Sequence, residues 1–242
     1  MNLRVAVRGE GPNDFGRWDV RRRRLEQEGC YLAFLKTAIS DDVRGAGAVF
    51  DCIFAGRFPK KLPGSRHKRG LPRLKGFERH AFYSTLEARE EGADWLVIGT
   101  DADRGLEEKK RRLPAACRER YSQLRKGYEK AKRFRSETAQ VGFVPLVPLV
   151  KLESWLLADE KGFRKAAGFE RGPLPEKPEE LYGSTDAKRY LDSLFRRHRK
   201  RDADTSDKAR LAEETSAQAL ARECPVSYPP FLKNVQTLLR AH

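Results

Sequence analysis

The stretch Trp95-Leu96-Val97-Ile98-Gly99-Thr100-Asp101-Ala102-Asp103 decides the fold. Its first five residues form an unbroken apolar run, and uniformly apolar strands belong to sheets covered on both faces. The run ends in two carboxylates separated by one alanine. Upstream, Leu3-Arg4-Val5-Ala6-Val7 alternates and breaks at Gly9-Glu10-Gly11-Pro12, which predicts a strand running into a turn. Ala48-Val49-Phe50-Asp51-Cys52-Ile53-Phe54-Ala55 predicts a second strand. Helical spacing occupies 19–37, with Leu25, Leu32 and Leu35 as core candidates, and returns over 77–91. Between these helices, 57–76 is a Gly/Pro/Arg/Lys segment without apolar period and reads as a loop.

Downstream, 104–139 is long, polar and helix-favouring, with Pro114 marking a break or kink. A further strand is expected over 141–150, where Pro145 and Pro148 point to an edge or irregular position. A helix begins within 151–159. Alternating strands and helices predict an α/β sheet flanked by helices. Beyond Gly172 the chain changes character: Pro173, Pro175 and Pro178 make a linker-like stretch, followed by helices at 186–197, 208–222 and 230–240. The expected organisation is an α/β catalytic domain at 1–170 and a helical extension at 171–242 packed on the same core.

Composition narrows the function. In 242 residues, 50 Lys and Arg against 35 Asp and Glu give a net charge of +15, which argues for a polyanionic partner and carries no information about fold. At 39% hydrophobic residues the chain holds enough apolar surface to build a core. The longest uncharged apolar stretch runs from Phe143 to Val150, far short of the ~20 residues that cross a bilayer. Charge at Arg4 interrupts any apolar leader. Cys30, Cys52, Cys117 and Cys224 are widely spaced, form no C-x-x-C pair and lie away from the four histidines, so a zinc site is not expected. Reduced thiols fit a cytoplasmic protein.

Three acidic clusters follow predicted strands: Glu10 and Asp14 the first, Asp101 and Asp103 the most apolar one, Glu153 the last. Ligand sites in open α/β sheets form outside the carboxyl ends of strands, so parallel strands would bring all three together. Asp101 and Asp103, two apart, point the same way in extended chain and offer the oxygen ligands that a hard cation such as Mg²⁺ takes. Without a cation, such grouping is costly in repulsion and desolvation. The alternative is that Asp101 and Asp103 merely cap a helix, where aspartate is favoured.

Gly9-Glu10-Gly11-Pro12-Asn13-Asp14 resembles the first Toprim motif, and Thr100-Asp101-Ala102-Asp103-Arg104-Gly105 looks like the second, the D-x-D of topoisomerases, primases and OLD-type nucleases. Lys151 to Asp159 is similar to an E-x-W-L-L-A-D stretch in a Toprim-like family long catalogued only as a domain of unknown function. Arg8 departs from the small or apolar residue often found in the first motif. The resemblance implies a Toprim-like, mostly parallel sheet and a Mg²⁺- or Mn²⁺-dependent nuclease. Asp101 and Asp103 would bind metal, Glu10 would be a ligand or general acid/base, and Asp14 with Glu153 would complete a second metal position. Lys151 would add positive charge to the transition state, against the simpler reading of a surface lysine. Leu152, Trp155 and Leu156 share i, i+3, i+4 spacing, so Glu153 also fits the solvated side of an amphipathic helix; Asp159 reads as an exposed helix end. The resemblance further implies a phage- or plasmid-defence role beside a separately encoded ABC/AAA-type ATPase, because no Walker A sequence occurs here.

Positive charge is clustered. Thirteen Lys and Arg lie between Arg104 and Arg135, including Lys109 and Lys110, against Glu107, Glu108, Glu119 and Glu129. The stretch from Arg57 to Arg79 adds Lys60, Lys61, Arg66, Lys68, Arg69, Arg73 and Lys75, and its loop, 57–75, carries few acids, as expected of a segment that tracks phosphates without reading sequence. Arg21 to Arg24 reads as a solvated face, and Arg196 to Arg201 is a fourth basic run. No zinc-finger, helix-turn-helix or RRM signature is present. The leading expectation is a nuclease acting on DNA or RNA. The competing one is a non-catalytic nucleic-acid-binding or ATPase-adaptor module, separable by metal dependence. A topoisomerase or primase is disfavoured, since the chain is short for a strand-passage gate. A homo-oligomer is left open.

Overall fold

The computed structural model describes residues 2–42, 47–60, 71–102, 113–169, 174–181 and 186–241. Four parallel strands form the central sheet: β1 (Asn2–Gly9), β4 (Val49–Arg57), β5 (Trp95–Gly99) and β6 (Gly142–Leu146), in the order β4-β1-β5-β6. All five residues of β5 are buried, as a strand covered on both faces requires. β6 ends the described sheet, where Pro145, which donates no N–H, pairs with Ile98.

One face of the sheet, carrying Leu3, Val5, Val7, Trp95 and Val97, packs on α2 (Cys30–Ser40) and on the C-terminal helices. The opposite face, carrying Ala6, Leu96 and Ile98, packs on α3 (Gly76–Glu90) and α4 (Leu113–Phe134). Pro114 is the second residue of α4 as described, and the helix runs on from it without interruption to Phe134; the residues before Leu113 lie outside the described ones.

The region 19–37 differs from a single helix. Arg17–Asp19 (β2) and Arg24–Gln27 (β3) form an antiparallel hairpin, and the helix starts only at Cys30. Asp19 Oδ1 accepts the backbone N–H groups of Arg21 and Arg22 at 2.8 and 3.0 Å, and Arg23 turns with φ +50°, so the arginines cap a turn that helical spacing alone does not reveal. Leu25 therefore packs from a strand, while Leu32 and Leu35 are buried on α2 as expected.

After β6 come two short helices, Glu153–Leu156 (α5) and Glu160–Ala167 (α6). Four more follow: Ala187–Arg199 (α7), Thr205–Glu214 (α8), Ala217–Glu223 (α9) and Tyr228–Ala241 (α10). The helix expected over 208–222 is two helices, because Thr215 and Ser216 are extended and the Ser216 hydroxyl caps α9. Trp155 ties this part to the sheet. Its ring meets Phe34, Tyr228 and Phe231 at centroid distances of 5.1, 5.3 and 5.5 Å, and its Nε1 donates to Ser227 Oγ at 2.7 Å. Replacing such a buried ring by alanine typically costs about 3–5 kcal/mol. No helix among the described residues is long and apolar enough to cross a membrane.

Candidate active site

The chain leaves β1, crosses to β4 on one side and returns to β5 on the other, so the strand order reverses between β1 and β5. Crevices at such reversals, beyond the carboxyl ends of parallel strands, are where open α/β sheets bind ligands. Glu10 follows β1 directly, Asp101 stands two residues beyond β5, and Glu153 opens α5 after β6. The Thr100 hydroxyl donates to Glu10 Oε1 and so bridges the ends of β1 and β5. Backbone pairing continues past β5, from Thr100 N to Leu146 O and from Ala102 N to Pro148 O, both at 3.1 Å, which holds Asp101 toward the segment after β6. There Asp101 Oδ1 accepts the Leu152 N–H at 3.1 Å, and Lys151 Nζ stands 3.9 Å from its Oδ2.

Asp14 sits on the one-turn helix α1 (Pro12–Phe15) and folds back over the end of β1. Its Oδ2 accepts the N–H groups of both Glu10 and Gly11 at 2.9 Å. Withdrawal from water pushes its carboxyl up to about 6, against the pull of those two bonds, and the charges of Glu153 and Glu10 add to the rise. Gly9 and Gly99 make room beneath the site. A Cβ on Gly9 would lie 2.7 Å from Asp14 Cβ, and one on Gly99 would lie 2.4 Å from the Tyr31 ring. Tyr31, buried on α2, thus forms the floor under the ends of β1 and β5. Burial, then the charges of Asp14, Asp101 and Glu10, drive its hydroxyl far above its ordinary value.

Glu153 is not on a solvated face. Its side chain is 10% exposed and Oε1 accepts from Lys208 Nζ at 2.7 Å, with Lys208 only 2% exposed. Burial pulls Lys208 down, but Glu153, Asp192 and Cys30 outweigh it and the net movement is upward. Lys208 belongs to α8 and Asp192 to α7, so helices far along the chain complete the wall of the site. A further tie runs from Thr205 Oγ1 on α8 to Asn13 Oδ1 on α1 at 2.8 Å. Asp159, expected as an exposed helix end, is half-buried. It caps α6 through Gly162 N and also accepts Ser216 N, both at 3.0 Å.

The structure thus brings Glu10, Asp14, Asp101, Lys151 and Glu153 to one rim. Asp103 lies outside the described residues, as do Lys61, Arg66, Lys68, Arg69, Arg104, Lys109 and Lys110; Lys60, Arg73 and Lys75 are exposed. Tyr31 and Lys208 carry no motif that would have marked them in the sequence, and Thr100, though it opens the second motif, had no role assigned there. Among the described residues no group of three or more His, Cys, Asp or Glu is placed to hold one ion, and Asp103 is not among those residues. By donor chemistry these residues offer carboxylate oxygens, the ligands a hard divalent cation takes, and Asp14 is raised first by burial and then by the charges of Glu153 and Glu10. Comparison with protein-family models, curated proteins and solved structures found no match in any of the three.

Proposed function

We propose that the protein is a metal-dependent, Toprim-type nuclease that hydrolyses phosphodiester bonds of DNA or RNA. One observation supports this reading: carboxylates from three separate chain segments, Glu10, Asp101 and Glu153, follow the carboxyl ends of the neighbouring strands β1, β5 and β6, beside the point where the strand order reverses. Glu10, Asp101 and Asp103 would hold one Mg²⁺ or Mn²⁺, with Asp14 and Glu153 toward a second. Bound cations of this kind supply an activated water and neutralise charge on the leaving oxygen. The chain's own contribution is placement. Thr100 and the Leu152 N–H fix the two central carboxylates, Lys208 holds Glu153, and Lys151 sets a positive charge beside Asp101. The net charge of +15 supports a polyanionic substrate. Action in antiphage or antiplasmid defence with an ATPase partner, in the cytoplasm, belongs to the same proposal and rests on the motif resemblance.

A non-catalytic binding module is favoured by one feature, the Glu153–Lys208 pair, which satisfies a buried carboxylate without a cation. Incubation of wild type and Asp101→Ala with DNA and RNA panels in Mn²⁺ or EDTA separates the two. A nuclease cuts only with metal, and Asp101→Ala loses at least 100-fold in rate, on the order of the loss when a group stabilising the transition state is removed. Cutting by Asp101→Ala at the wild-type rate would refute the assignment. Binding that persists in EDTA, with no cleavage under any metal, would select the binding module.

A further inference from the structure

Beside the acidic rim, on the β4 side, stands a cluster of rings that the carboxylates do not use. Gly9 pairs with Arg57 in the register of β1 and β4. Phe58 follows Arg57 as Glu10 follows Gly9, so the ring cluster and Glu10 leave the same carboxyl end of the paired strands β4 and β1. The Phe58 ring stacks on the His80 imidazole, with centroids 4.6 Å apart and planes 21° from parallel. Phe77 meets both edge-on, at 6.1 Å from Phe58 and 5.5 Å from His80. The Arg120 guanidinium lies 3.6 Å over the Phe77 ring. Phe58, Phe77 and His80 are only half-buried, at the margin of the core under α3 and α4, and Arg57, Lys60, Arg73, Lys75 and Arg79 around them are exposed.

We propose that the Phe58–His80 stack is a platform for an unpaired base, so that the rim site takes single-stranded or locally melted nucleic acid. This rests on the nucleic-acid reading above and narrows its substrate class. A flat, half-buried stack at the margin of the core offers the exposed part of its rings to a nucleobase whatever the base, because every base has a π-face. The flanking cations meet the phosphates on either side of that base. Bases of an intact duplex are already stacked on their neighbours and cannot reach the rings. Since Phe58 and Glu10 follow paired strand ends, a base held on the stack keeps its strand on the carboxylate side of the sheet.

The test uses the full chain in EDTA, so that no cleavage intervenes. The probe is a 12-nucleotide single strand carrying 2-aminopurine, alone or annealed to its complement, at fixed salt. Wild type quenches the probe in the single strand and not in the duplex. Phe58→Leu and His80→Leu lose the quench and bind the single strand about tenfold more weakly, with duplex affinity within about twofold. Retention of quench and affinity by both variants overturns the platform, as does an equal loss on single strand and duplex. If Phe58→Leu fails to fold by circular dichroism, His80→Leu and the wild-type quench decide alone. Wild type that binds neither form removes the nucleic-acid reading itself; wild type that binds both without quenching removes only the platform.

Discussion

Replacing Lys208 with methionine removes one half of a buried ion pair while keeping most of the side-chain volume. The Lys208 and Glu153 side chains are 2% and 10% exposed, and their hydrogen bond is 2.7 Å long. Breaking such a pair from one side leaves an uncompensated buried charge and costs about 3–5 kcal/mol. For a chain of this size each kcal/mol lowers Tm by about 2–4 °C, so a fall of roughly 6–20 °C is expected. The loss should be larger at pH 8 than at pH 5. In the variant, the Glu153 carboxylate is buried without its cation, so the penalty is full where carboxylates are ionised and fades as pH falls. Asp192, which also faces Lys208, adds to the same trend. Urea unfolding at both pH values gives the magnitude through the midpoint at unchanged slope. The double variant Lys208→Met/Glu153→Leu removes both charges and should recover at least about 2 kcal/mol of the single variant's deficit, since an apolar pair can replace a buried ion pair at little cost. A Lys208→Met loss below about 1 kcal/mol at pH 8, or a double variant no more stable than the single, would refute this account of the wall.

Asp14 gives a pH signature in the metal-free protein. Its folded pKa of about 6 lies above the unfolded value. The ionised form is therefore disfavoured on folding, and stability rises as pH falls from 7 toward 4, by about 1–2 kcal/mol for a half-buried group. Asp14→Asn should flatten that rise and be more stable than wild type at pH 8, as urea titrations would show; an unchanged pH profile contradicts it. Gly99→Ala forces a Cβ to within 2.4 Å of the buried Tyr31 ring. It should cost about 1–3 kcal/mol, read from the unfolding midpoint, and a neutral substitution would mean that Tyr31 is not the floor.

The parts of the fold visible in sequence are those set by local patterning. Trp95 to Gly99 announces a two-face-covered strand because all five residues are apolar, and the strand has those limits. Pro145 and Pro148 pointed to an edge because proline lacks a donor, and β6 is at the end of the described sheet. The 19–37 segment was misleading because leucines at 25, 32 and 35 satisfy helical spacing, while the Asp19 turn that makes a hairpin depends on side-chain-to-backbone bonds that periodicity does not register. The break at Thr215 and Ser216 is hidden for a similar reason, since a serine cap inside a helix-favouring run looks like one more polar position.

At the rim, sequence order alone placed Glu10, Asp101 and Glu153 after strands, because a change from apolar run to carboxylate marks a strand's end. That these ends adjoin depends on the order β4-β1-β5-β6, which is a matter of long-range pairing and is not encoded in any one window. Tyr31 and Lys208 lay beyond reach of any spacing argument. The first is defined by two glycines on different strands that leave space for its ring, the second by an α8 side chain carried back 55 residues to Glu153. Short-range chemistry thus chose the elements and the charged residues at their ends. Which of those charges became neighbours was decided only when the sheet closed and the C-terminal helices were buried against it.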